Sequence, residues 1–191
     1  MTEPDRLRID YVDHDGVDRL LDLVTFCLEG ISLEFDRWEE EYVRGPGLYF
    51  AIVSGSTVAD YADPMGDDQW PTDKCRYVFD DIDLFYQVAN TVAKSRDGAV
   101  VVTVDGAIHE QMVRFRDLTD EELADLDEVD EVEYDDWMGS RHMSAADTSA
   151  RHEVVATVTL SEEDGRVTVF TDGAFDDSER TELGGDWRVD T

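Results

Sequence analysis

SRDGAVVVTVDGAIHE, Ser95–Glu110, carries Asp-Gly-Ala twice around an uninterrupted apolar run, and a third copy stands at Asp172-Gly173-Ala174. AVVVTV (99–104) is too short for a helix and too apolar for a surface strand, so it reads as a strand buried on both faces. Asp105-Gly106 then separates it from a second extended run, IHEQMVRF (108–115), and an Asp-Gly pair between two strands is a hairpin turn. The third copy closes RVTVFTDG (166–173) in the same way. Asp97 differs, because it follows a helical pattern and precedes the buried strand. Its carboxylate is therefore placed at a helix-to-strand junction, where Gly98 would allow a ligand to approach closely and Ala99 would leave it room.

Working outward, DDIDLFYQVANTVAKS (80–95) has aspartates at its start and a lysine near its end, as a helix dipole favours. Ile82, Phe85, Val88, Ala89 and Val92 are expected to face inward. LYFAIVSG (48–55) and VVATVTL (154–160) are further buried strands, and the Asp, Pro and Gly-rich segment between 56 and 78 reads mostly as loop. Residues 16–40 hold Leu20, Leu21, Val24, Leu28, Ile31 and Phe35 at helical spacing, in one or two helices that Gly30 could interrupt. SRHMSAADTSARH (140–152) opens and forms another helix. Strands interleaved with helices around apolar central strands give an α/β fold, a mixed central sheet flanked by helices. The expected organisation is an N-terminal helical extension over 1–44, a core domain over 45–175, and a polar tail over 176–191 with Trp187 folded back.

Charge sets the surroundings. The chain has 48 acidic residues against 16 basic ones, a formal net charge of -32, and only two lysines, Lys74 and Lys94. The acids are spread over the whole length, which describes a hydrated, self-repelling surface suited to a salt-saturated cytoplasm. Nothing supplies the basic footprint that a nucleic-acid backbone needs. No apolar run is long enough for a membrane span or a signal sequence, so a soluble, cytoplasmic chain is expected. Cys27 and Cys75 lack metal-ligand spacing and read as buried, reduced thiols. His14, His109 and His152 are scattered and structural, and Trp38, Tyr42, Tyr49 and Phe50 read as core.

One further cluster carries chemistry. Ser140-Arg141-His142 follows Gly139 at the start of a helix, where a serine can cap and free N–H groups suit a phosphate. The arginine adds a planar fork of donors for phosphate oxygens. The acidic segment DLTDEELADLDEVDEVEYDD (117–136) reads as a solvated excursion with a short helix near 119–126.

In this order, the motifs resemble those of the diadenylate cyclase family, which condenses two ATP into cyclic di-AMP and two pyrophosphates. TVAKSRDGAVVV places the family's Asp-Gly-Ala on Asp97, Gly98 and Ala99, and the second copy on a hairpin. Gly139-Ser140-Arg141-His142-Met143 matches Gly-Thr-Arg-His-Arg, a downstream helix serine falls on Ser149, and Ser161-Glu162-Glu163 matches Ser-Glu-Glu. The resemblance spans roughly 45 to 175. Together with the acidity it describes a haloarchaeal type of member. It implies Asp97 as the residue that orients the 3′-hydroxyl and holds Mn²⁺ or Mg²⁺, with Glu163 as a second metal candidate. Arg141 and His142 are implied as catalytic. ATP would be held by Gly98, Ala99, Gly139, Ser140, Arg141, His142 and Ser149, with the adenine near Leu48–Gly55. The two-fold symmetric reaction implies a face-to-face homodimer, or a larger homo-oligomer built on it.

Two departures from the family stand out: Met143 replaces its second arginine, and Asp147 stands in place of a glycine. Met143 favours a second reading, a module of the same fold that binds nucleotide or cyclic di-AMP without making it. A third is a scaffold whose acidic 117–136 segment docks a basic partner.

Overall fold

The computed structural model describes residues 14–55, 57–94, 98–119, 122–123 and 132–185. Asp97 therefore lies outside the described residues, as do half of the acidic excursion and the end of the tail with Trp187. The chain forms one seven-stranded sheet with helices on both faces, the α/β architecture expected from the sequence. In chain order the elements are α1 (Asp15–Glu34), β1 (Leu48–Val53), β2 (Ala62–Pro64), α2 (Ile82–Ala93), β3 (Ala99–Thr103) and β4 (Ile108–Phe115). Then follow α3 (Ser140–Ser149), β5 (Val154–Leu160), β6 (Val167–Thr171) and β7 (Ala174–Ser178).

The strand order is β2-β4-β3-β1-β5-β6-β7. Only β1 and β3 run parallel, with α2 in the connection between them; every other neighbouring pair is antiparallel. The three most apolar runs occupy the middle of the sheet, where both faces are covered. Alternation divides β1 between the two cores. Leu48, Phe50 and Ile52 pack with Leu20, Val24, Leu28 and Ile31 of α1 and Phe85, Ala89 and Val92 of α2. Tyr49, Ala51 and Val53 pack on the other face with Ala145, Ala146 and Ala150 at and after α3.

Several details depart from the sequence reading. α1 runs unbroken through Gly30 and shares a core with β1 and α2. A Cβ on Gly30 would lie 2.9 Å from the Tyr86 ring, so the glycine serves the α1–α2 contact. Ile82 is 48% exposed at the first turn of α2, before the helix reaches its partners. Tyr42 is exposed, whereas Tyr49 and Phe50 are core. A short edge strand, β2, lies within the 56–78 loop, and β7 takes in Asp176–Ser178, where the polar tail was expected to begin.

Two of the three Asp-Gly pairs lie wholly within the described residues, and both are hairpin turns. At the β3–β4 turn Gly106 has φ +83°, and the Asp105 carboxylate accepts from the Thr103 hydroxyl and from Ala107 N. Asp172 and Gly173 both have positive φ, 50° and 78°, the geometry of a tight two-residue hairpin. Their use is conformational.

Candidate functional site: a cleft at the start of α3

α3 is held by hydrogen bonds that fix where its first turn emerges. The Thr157 hydroxyl donates to Ala145 O at 2.9 Å, and the Tyr49 hydroxyl to Ser144 O at 3.4 Å. The small side chains of Ala145 and Ala146, both fully buried, let the helix sit close to the sheet. Farther along, Ser149 is fully buried, donating to Ala146 O and accepting from Gly173 N. The ATP contact expected of Ser149 is not what its hydroxyl makes here: it ties α3 to the β6–β7 turn. Ser140 is the first helical residue and not the cap; the N-cap is Gly139, which offers no side-chain oxygen. Gly139 therefore contributes no side-chain cap to the first N–H groups of α3, at the cleft.

That cleft has a volume of about 570 Å³. Gly139, Ser140, Arg141 and His142 form one wall, Ser161–Asp164 another, and Gly98 with Val113–Phe115 a third. Arg44, Tyr49, Met65, Asp117, Trp137 and Ser144 complete the lining. The structure therefore brings Gly98, Gly139, Ser140, Arg141, His142 and Glu163 to one cavity from three separate segments. Ala99 does not join them, being fully buried in β3. The reason for a glycine at 98 is also different from the one expected. Its φ is +84°, and a Cβ would lie 2.8 Å from Met112 Cα, so the space is taken by the β4 backbone and not by a ligand.

The Ser161–Gly165 turn is fixed from several sides. Ser161 Oγ accepts from Glu163 N at 3.3 Å, Ser32 of α1 donates to Gly165 O at 2.6 Å, and Gly45 N donates to Glu162 O at 2.8 Å. Trp38 fills the space beside Gly45 and Gly165. Glu162 meets Arg44 at 2.9 Å and Arg141 at 3.8 Å, while Glu163 and Asp164 are exposed. Gly47 makes room for Arg141, whose Nη1 would be 2.5 Å from a Cβ there.

His142 is only 6% exposed and its Nε2 has no hydrogen-bond partner. Burial, followed by the Arg141 guanidinium, lowers its pKa to about 4, so the imidazole is neutral at physiological pH. Trp137 packs edge-on against it at 5.0 Å and carries Arg166 over its ring at 4.4 Å. Trp137 and Arg44 were missed in the sequence. Neither belongs to a motif, and only the fold brings them to the cleft.

A mixed α/β sheet thus gathers a helix start, arginines and carboxylates around one cleft, an arrangement that can receive an anionic group. No family model matches the chain, and no curated protein sequence matches it. Among solved structures it is similar to a hypothetical membrane spanning protein from Bacillus cereus, at TM-score 0.53 and 16% identity, over 82% of this chain. The likeness takes in 62% of that protein's chain, so this one corresponds to about three-fifths of its length. It is also similar to DacA from Staphylococcus aureus, solved as a double cysteine mutant, at TM-score 0.50 and 17% identity, over 86% of this chain and 89% of that one. At these identities the likeness is one of fold. Among the described residues no helix is long and apolar enough to cross a membrane.

Proposed function

We propose that the chain is a diadenylate cyclase of the acidic, haloarchaeal type, condensing two ATP into cyclic di-AMP. The observation that carries this reading is the meeting, in one cleft, of the three segments that the family resemblance singles out: Gly98 next to Asp97, Gly139–His142, and Ser161–Glu163. The fold shared with DacA supports it.

In this reaction the 3′-hydroxyl oxygen of one ATP forms a bond to the α-phosphorus of the other. The bond from that phosphorus to the β-phosphate bridging oxygen breaks, and pyrophosphate leaves. A second, equivalent step closes the ring. Asp97 orients the attacking hydroxyl and accepts its proton. The uncapped N–H groups of α3 and the Arg141 guanidinium stabilise the charge that spreads over the phosphate oxygens. His142, neutral, positions a phosphate oxygen or a neighbouring hydroxyl through its unpartnered Nε2. Tyr49 borders the space left for the nucleoside.

The donor set suits a hard divalent cation. Among the described residues no group of three or more metal-ligating side chains is assembled. A magnesium-type site, however, takes one or two carboxylates and completes its shell with phosphate oxygens and water. Asp97 and Glu163 are the residues that would hold it, because Glu162 is engaged by two arginines. Bound there, Mg²⁺ or Mn²⁺ would neutralise charge between carboxylate and phosphate.

One chain offers half of a symmetric site, so two chains meet face to face, each bringing Asp97 to its partner's ATP. The test is mass-spectrometric detection of products from ATP with Mn²⁺ or Mg²⁺ in molar KCl. Cyclic di-AMP is expected from the wild type and from Asp105→Asn, and none from Asp97→Asn. Tight ATP binding by the wild type with no product under any of these conditions would replace the cyclase by the nucleotide-binding module.

A further inference from the structure

The first turn of α3 brings a single cation to the cleft. His142 is neutral, and Met143 is apolar and 46% exposed. Arg114 of β4 also lines the cleft, but a triphosphate carries more charge than two guanidinium groups and a helix end balance. We propose that Arg44, on the loop entering β1, is a second phosphate-binding residue of this cleft, held beside Arg141 by the Glu162 carboxylate. This rests on the nucleotide reading above and deepens it.

Three features carry the assignment. Arg44 and Arg141 both line the cleft, although they stand 97 positions apart in sequence. Glu162 gathers their guanidinium groups on its two oxygens, Oε1 to Arg44 at 2.9 Å and Oε2 to Arg141 at 3.8 Å. Two arginines on one carboxylate form a pocket of the geometry a phosphate group prefers, with a resident anion in it. The position of Arg44 is also fixed from behind. The next residue, Gly45, donates its N–H to Glu162 O at 2.8 Å and packs under the Trp38 ring, so the backbone at 44 cannot swing away from the turn. His142, 6% exposed with an unpartnered Nε2, is a buried polar side chain of the same cleft wall as Arg141.

Glu162 then has a defined use in a chain with 48 acids. It keeps two guanidinium groups together in the absence of ligand, where they would otherwise be drawn to neighbouring carboxylates. A polyphosphate competes with it for the same donors.

The experiment is equilibrium binding of ATP and of adenosine, at one fixed KCl and Mg²⁺ concentration, to the wild type and to Arg44→Met, Arg141→Met, Glu162→Gln and Arg44→Met/Glu162→Gln. The Arg44 side chain is 82% exposed, so its replacement leaves the core intact. Arg44→Met should weaken ATP binding about tenfold and leave adenosine unchanged, a loss typical of one charge-assisted contact. Glu162→Gln should bind ATP at least as tightly as the wild type. The double variant should still bind about tenfold more weakly than Glu162→Gln alone, which excludes an effect of the released carboxylate. Equal ATP affinity in Arg44→Met and wild type, with Arg141→Met impaired, would overturn the role of Arg44 and leave the nucleotide reading standing. Failure of the wild type to bind ATP would remove both.

Discussion

Glycines 98 and 139 line the same cleft for opposite reasons. At Gly98 a side chain meets backbone and an unfavourable φ together, so Gly98→Ala should cost about 2 kcal/mol or more of stability, read from denaturant unfolding. At Gly139 a Cβ would meet nothing within 4 Å, and φ is an ordinary -84°. Gly139→Asp should therefore stabilise α3 by a few tenths of a kcal/mol as an N-cap. It would also set a carboxylate over the N–H groups and abolish ATP binding. A variant more stable than wild type yet unable to bind ATP would show that the helix is left uncapped for its ligand. His142 gives a pH signature. Its folded pKa, about 4, lies below the ordinary 6.5, so the unfolded chain takes up a proton first. The contribution is full above pH 6.5 and is lost as pH falls from there toward 4. In His142→Gln the decline of stability between pH 6.5 and 5 should be shallower by up to one proton, measured by urea unfolding at each pH.

Among the elements, α2 begins where Asp81 Oδ1 accepts from Leu84 N at 2.9 Å. Asp81→Ala should lower stability by about 1 kcal/mol with the sheet unchanged. The central strands and α2 were legible because their patterns are unambiguous: fully apolar runs for β1, β3 and β5, and helical periodicity with aspartates at the start for α2; α1 was legible as helical but not as one unbroken helix. β2 and β7 were not. ADP and AFDDS carry no apolar alternation, and each is a strand only because the exposed edge of a neighbour, β4 or β6, supplies its hydrogen bonds. The start of α3 was read correctly in place but not in chemistry. A serine next to a glycine suggests a cap, and only backbone dihedrals show that the glycine holds that position. The pairing of Ser149 with Gly173 was not legible for a similar reason: it depends on a turn 24 residues away.

At the scale of the whole molecule, a net charge of -32 sets repulsion against folding and against the meeting of two such chains. Raising KCl from 0.1 M to 2 M should increase the thermal midpoint and the fraction of dimer together, read by circular dichroism and sedimentation. A molecule equally stable and equally dimeric at both concentrations would show that its surface charge is already balanced. The cleft itself emerged at this scale. Gly98, Arg141 and Glu163 could be named from motifs, and Tyr49 lies in the Leu48–Gly55 stretch expected near the adenine, but Arg44 and Trp137 come from segments with no motif and reach the site only through the fold. The most direct measurement is therefore an NMR titration of the backbone amides with ATP and Mg²⁺ in molar KCl. The expected result is shifts concentrated at Gly98, Ser140–His142 and Glu162–Asp164, saturating along one binding curve. Saturable shifts confined to other surfaces, or none at millimolar ATP, would contradict the assignment of this cleft as the nucleotide site.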